Sequence, residues 1–179
     1  MNPGMRKRIE RYIGTDTLIS VYTDANEPDK YTLGFLLQID GHYLLMNKVN
    51  RLGEEDGFCI ISLEVIYAYD DDKLYSGKIE KLFSLKNQKR KEIKEMDQSV
   101  IICLAKYAMD YHYLIEINED NSYIGFVSYY SEEIIELELV NIYAKRIGTA
   151  CIDTENINMM ECQDKYFQDI ELLLQQNSY

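Results

Sequence analysis

Tryptophan is absent from this chain of 179 residues, and proline and histidine occur only twice each. The two histidines, His42 and His112, form neither an HxH nor an HExxH arrangement, so no zinc-hydrolase motif is present. The four cysteines, Cys59, Cys103, Cys151 and Cys162, lack CxxC spacing, and neighbours such as FCII and IICL read as strand or helix interiors. Buried, reduced thiols are therefore expected rather than a disulfide framework. No apolar run approaches the roughly eighteen residues of a membrane span. The start MNPGMRKRIERY has no hydrophobic stretch behind its basic residues, so a cytoplasmic location is expected. Basic residues are scarce in one part of the chain only. Residues 1–109 hold 17 acidic and 16 basic side chains, whereas residues 110–179 hold 14 acidic and 3 basic. That second part would repel a phosphate backbone and suits a solubilising surface or a dock for a basic partner.

What the chain does have is an internal repeat. Residues 31–83 and 122–174 align at an offset of 91 without a gap, with 12 identities in 53 positions. Gly34-Phe35 meets Gly125-Phe126, Val49-Asn50 meets Val140-Asn141, Gly57 meets Gly148, and Ile79-Glu80 meets Ile170-Glu171. One small module is used twice. Hydrophobic residues make up 46% of the chain, and sixteen tyrosines fit strands whose rings cover pleated faces.

The pattern predicts a helix over residues 5–12 and strands over 18–22, 31–39, 42–49, 58–61 and 65–69. Asp70-Asp71-Asp72 then opens a closing helix lined by Tyr75, Ile79, Leu82 and Phe83. Asp40-Gly41 is a hairpin signal. The second copy repeats the order with a helix over 97–109, strands over 111–117, 123–130, 134–140, 149–152 and 157–160, and a helix over 163–175. The domain reading is a first unit over 1–84, a charged helical connector over 85–96, and a second unit over 97–179. Five short, bent strands are too little sheet for a sandwich, and closure would bury one face and remove the edges.

This order, with a glycine inside the long second strand, resembles the Sm-like small barrel. More narrowly it resembles uncharacterised Gram-positive bacterial proteins built from two such barrels in tandem. The fold expectation is mainly β with flanking helices (α+β), as two tandem Sm-like or SH3-like barrels. The resemblance implies RNA binding. The third strand and its return carry no compact Asp/Asn/Arg/Gly base-binding set in either copy, however, so the resemblance transfers the fold and not a site.

Chemistry is sparse. His42 follows the Asp-Gly turn and reads as an exposed hairpin residue, and His112 as a polar neighbour of the strand after it. Three adjacent carboxylates at Asp70–Asp72 face different ways, which speaks for a helix start over a magnesium site. Cys151 lies near Asp153 and Glu155, but its counterpart Ile60 is apolar, so Cys151 is expected in a core. No catalytic, cofactor or metal residue is assigned, and the chain is expected not to be an enzyme.

Two surfaces remain. Arg6, Lys7, Arg8 and Arg11, with Lys89, Arg90, Lys91 and Lys94, would form a basic strip if the first helix and the connector lie side by side. The strip would touch RNA, an acidic partner, or the acidic half of the chain itself. Glu132, Glu133, Glu136 and Glu138 surround the second hairpin, beside Tyr123, Tyr129 and Tyr130. An interaction or adaptor role through that hairpin is expected, with an unknown protein partner, a basic one suiting the negative surface, and an inhibitor or immunity protein as one version. An Sm-like RNA-binding protein and a self-associating structural module are the alternatives.

Overall fold

A computed structural model describes residues 1–27, 29–94, 98–118 and 122–176. The chain divides into two compact units, Met1–Glu92 and Ile93–Tyr179. The boundary falls inside the segment where the sequence places the connector.

In the first unit, helix α1 (Pro3–Ile9) starts where the Asn2 side chain accepts from Met5 N–H, with Pro3 in the first turn, and a short 3-10 turn (Glu10–Tyr12) extends it. Five strands follow: β1 (Leu18–Tyr22), β2 (Thr32–Ile39), β3 (Tyr43–Val49), β4 (Glu55–Ser62) and β5 (Ala68–Asp70). Helix α2 (Tyr75–Leu85) closes the unit. The second unit has α3 (Val100–Tyr111), β6 (Leu114–Ile117), β7 (Tyr123–Tyr130), β8 (Ile134–Val140), β9 (Arg146–Asp153), β10 (Met159–Cys162) and α4 (Lys165–Gln176). Asp97, the expected start of the third helix, lies outside the described residues.

All described strand pairs within the two units are antiparallel, so the architecture is mainly β with four helices. The strands of the first unit run in the order β5-β1-β2-β3-β4 and those of the second in the order β10-β6-β7-β8-β9. The two orders correspond strand for strand. The expected closure is not formed, because β4 does not pair with β5, nor β9 with β10. A three-residue β5 offers too few ladder positions to seal a rim.

The repeat extends to backbone detail. Register shifts fall between Leu36 and Gln38 on β2 and between Val127 and Tyr129 on β7, which are the same positions at the offset of 91. Bulges add bend and twist to a strand. A Cβ on Gly34 would lie 2.4 Å from the Asn47 carbonyl oxygen, and one on Gly125 would lie 2.4 Å from that of Glu138. Both glycines are therefore required by a close backbone approach. Asn50 Oδ1 accepts from Leu52 and Glu54 N–H, and Asn141 Oδ1 accepts from Tyr143 and Lys145 N–H, which fixes the same turn twice.

Each helix closes one apolar cluster. Leu18, Leu33, Phe35 and Val49 pack with Ile79 and Phe83 of α2, and Leu114, Phe126, Val140 and Ala144 pack with Phe167 and Ile170 of α4. The copies differ in length between their first two strands. Leu18 pairs with Phe35, 17 positions on, whereas Leu114 pairs with Phe126 only 12 positions on. The extra residues lie in the β1–β2 connection.

Among the described residues of the expected connector, no helix continues beyond α2, and residues 95 and 96 lie outside the described residues. After α2 the chain turns at Asn87, with φ of 53°, and residues 88–93 hold neither helix nor strand. Gln88 and Lys91 bond to Asn47 and Glu55 of the first unit's strands, and Arg90 to the Gly14 and Thr15 carbonyls ahead of β1. No helix is long and apolar enough to cross a membrane among the described residues.

Candidate interaction surface

The face of β2–β3–β4 that carries Phe35 differs sharply in chemistry from its copy on β7–β8–β9. Directly opposed residues share a face. In the first unit this face has the rows Gln38–Leu45–Ile60 and Phe35–Asn47–Phe58. Leu45, Asn47, Phe58 and Ile60 are all fully buried. In the second unit the same rows read Tyr129–Glu136–Cys151 and Phe126–Glu138–Thr149. Tyr129, Glu136, Thr149 and Cys151 are exposed, and Glu138 is half-buried.

Asn47 shows how the buried version is satisfied. Its Nδ2 donates to Glu55 Oε1 at 2.9 Å and to the Gly57 carbonyl at 2.8 Å, and its Oδ1 accepts from Lys91 N–H at 2.9 Å. The offset places Glu138 at the Asn47 position and Arg146 at the Glu55 position. The pair survives with donor and acceptor exchanged, since Arg146 now donates to the Glu138 carboxylate. Both partners are substantially exposed, so this ion pair contributes little to stability.

The four expected acidic residues have separate roles. Glu132 accepts from Ser99 Oγ at 3.1 Å, and the Glu132 and Glu133 carbonyls accept from Thr154 Oγ1 at the hairpin tip. Glu136 and Glu138 lie two residues apart on one face beside Tyr129. The tyrosines are not gathered. Tyr130 lies opposite the fully buried Ile135 and, like Tyr123, on the other face from Tyr129. The bulge between Val127 and Tyr129 reverses the alternation and separates Tyr123 from Tyr129.

The basic strip is partly consumed within the chain. Arg6 bonds Glu10 and the Asp40 and Gly41 carbonyls, and Arg11 lies over the Tyr12 ring and donates to its hydroxyl. Arg90 donates to the Gly14 and Thr15 carbonyls and to Glu92, which brings the connector against the segment after α1. Lys91 pairs with Glu55 at 2.7 Å. Lys7, Arg8, Lys89 and Lys94 are exposed, and Lys94 belongs to the second unit.

No protein-family model, curated protein or solved structure matches this chain. The chemistry of its own side chains must carry the functional reading.

That chemistry is mostly structural. Asp70 accepts from the Tyr22 hydroxyl, Asp71 accepts from the Tyr12 hydroxyl, and Asp72 accepts from Leu74 and Tyr75 N–H ahead of α2. Among the described residues, no group of three or more His, Cys, Asp or Glu side chains could hold a metal ion. His42 is exposed at the first hairpin. His112 ends α3 in the left-handed conformation and stacks on Phe126 at 4.2 Å. Burial pushes the Glu171 carboxyl above its usual range, against the Leu114 N–H and nearby His112, which pull it down.

All four cysteines are free. Cys59, Cys103 and Cys162 are buried as expected, but Cys151 is exposed rather than in a core. It sits on β9, which among the described residues pairs only with β8, on the face opposite to Ile152. Arg146, Thr149 and Cys151 were not apparent as surface residues from sequence. The signal that could have found Arg146 is its place at the offset from Glu55, where acid becomes base.

Proposed function

We propose that the chain is a non-enzymatic protein-interaction or adaptor module. Its second unit presents the Tyr129–Glu136–Glu138 face and the Glu132–Glu133 tip to a partner. One observation carries this reading. The scaffold is duplicated down to its bulges and turn residues, yet one face is sealed in the first copy and polar and open in the second. Tyrosine supplies rigid contact area, and the carboxylates favour a basic partner. An inhibitor that masks a basic, nucleic-acid-directed protein is one form of this role.

The matched order of an N-terminal helix, five strands and a closing helix supports reading each unit as an open Sm-like or SH3-like small barrel. On that descent, RNA binding is the second reading, favoured by the exposed Lys7, Arg8 and Lys89. The test is affinity capture from native lysate before and after nuclease treatment, with a variant reversing the charge of Glu132, Glu133, Glu136 and Glu138. A stoichiometric protein retained after nuclease and lost in the variant supports the interaction role. Co-purifying RNA supports the second reading. Recovery of the chain's own oligomer alone, or capture unchanged by charge reversal, overturns the proposed surface.

A further inference from the structure

We infer that the turn between β8 and β9, residues 141–147, seats a non-helical acidic segment of a partner protein, as the charge-inverted counterpart of the turn on which the first unit seats its own residues 86–91. This surface is separate from the Tyr129–Glu136–Glu138 face, and the inference goes beyond the role proposed above.

The two units build this turn on the same backbone. Asn50 N–H donates to the Glu54 carbonyl at 2.9 Å, and Asn141 N–H donates to the Lys145 carbonyl at 3.0 Å. Gly53 and Ala144 hold the same place with φ of 71° and 55°. On that shared frame the side chains are inverted. At the offset of 91, Glu54, Glu55 and Asp56 correspond to Lys145, Arg146 and Ile147, and Arg51 corresponds to Ile142. The acidic copy is occupied: Lys86 pairs with Glu54 at 2.9 Å, Lys91 pairs with Glu55 at 2.7 Å, and Gln88 Oε1 accepts from Glu55 N–H at 3.1 Å. Glu54, Glu55 and Asp56 are accordingly half-buried.

The basic copy is bare. Lys145 and Arg146 are exposed, and Ile142, Tyr143 and Ile147 are 55%, 71% and 60% exposed. Residues 110–179 hold only 3 basic side chains, and Lys145 and Arg146 are two of them. Arg146 Nη1 bonds Glu138, whereas Lys145 has no ion-pair partner among the described residues. An occupant with carboxylates where the first unit has Lys86 and Lys91 would meet Lys145 and the remaining donors of Arg146. Ile142, Tyr143 and Ile147 would add apolar contact. A basic occupant would be repelled. An extended anionic surface would also face the 14 acidic side chains of residues 110–179, so a short segment that meets the turn alone is favoured.

The probe is a synthetic peptide of residues 86–92 carrying Lys86→Glu and Lys91→Glu, titrated into the isotopically labelled full chain, with the unaltered peptide as control. Saturable amide shifts are expected at Tyr143, Lys145 and Ile147, absent with the control and weakened by salt. Lys145→Glu should weaken binding about tenfold and Ile147→Ala about threefold, whereas Lys165→Glu, the same charge change on α4, should leave it within about twofold. Lys145→Glu combined with Arg146→Glu should exchange the preference, so that the unaltered peptide now shifts the turn. The substituted turn positions are exposed, so these variants should keep the circular dichroism of the parent. Glu136→Lys should not weaken peptide binding, so this surface and the acidic face stand or fall separately. Absence of saturable shifts, shifts confined to residues 1–92, or equal loss in Lys165→Glu would overturn the inference. So would Lys145-dependent binding to phosphatidylserine vesicles or single-stranded RNA without peptide shifts at the turn.

Discussion

The Glu171 carboxylate accepts a hydrogen bond from Leu114 N–H at 2.7 Å, tying helix α4 to the first residue of β6. Glu80 makes the same bond to Leu18 N–H at 2.9 Å in the first unit. Glu171→Ala should destabilise the second unit by about 1–3 kcal/mol, because the part-buried Leu114 N–H loses its partner. Glu171→Gln keeps an acceptor and should cost less. Burial raises the folded-state pKa of Glu171, so the folded chain binds this proton more tightly than the unfolded chain. The associated stability is present below the ordinary carboxylate pKa and lost as pH rises through the folded value. Urea denaturation across that range should therefore show the Gln variant gaining on the parent as pH increases.

Gly34→Ala and Gly125→Ala should each be disruptive, since the added methyl would meet a backbone carbonyl oxygen at 2.4 Å. Neither strand can yield without losing its ladder to the next. A loss of about 1–3 kcal/mol or more is expected for each. Gly41→Ala, with nothing within 4 Å of the added Cβ, is the control and should lie within about 0.5 kcal/mol of the parent. Thermal or chemical denaturation of the three variants checks this.

Asn47 and Glu138 occupy equivalent positions but should respond differently to truncation. Asn47→Ala removes three hydrogen bonds at a fully buried site and frees Lys91 N–H, so a loss of about 2–4 kcal/mol is expected. Glu138→Ala breaks an exposed ion pair and should cost under about 1 kcal/mol. Equal losses would show that Glu138 is held far more tightly than its exposure implies.

Tyr22 and Tyr31 should ionise late. Burial, with the Tyr22 hydroxyl donating to Asp70 at 2.7 Å, pushes that phenol up to about 12, and burial beside Tyr75 does the same for Tyr31. Both folded values lie above the ordinary 10.0, so the stability they confer is full below about pH 10 and is lost as pH rises towards 12. Tyrosinate absorbance should show a late component that Tyr22→Phe reduces.

Hairpins, closing helices and the repeated glycines were legible in the sequence because their signals are local. Asp40-Gly41 marks a turn, and Ile79 and Phe83 recur at helical spacing. The connector was not legible, because Asn47 and Glu55, which hold Lys91, are distant in sequence. Its charged, proline-free composition is equally compatible with helix. That Tyr123 and Tyr129 face opposite ways on β7 was not legible for a related reason: simple alternation puts them on one face, and a single bulge moves Tyr129 to the other. Cys151 lies on the opposite face of β9 from the buried Ile152, and which of two alternating faces is covered is set by packing that no residue in β9 announces.

The β1–β2 connection is longer than its counterpart between β6 and β7, yet the strand register around it is unchanged. Leu18 still meets Phe35 and Leu114 still meets Phe126, whichever span joins them. The hairpin tolerates added chain there because the register is fixed by the paired strands and not by the loop. A short affinity tag or fluorophore-bearing peptide grafted at Ala25-Asn26, where the chain already turns in the open, should leave both clusters undisturbed. It would give a reporter on the first unit that leaves the sequence of the second unit untouched.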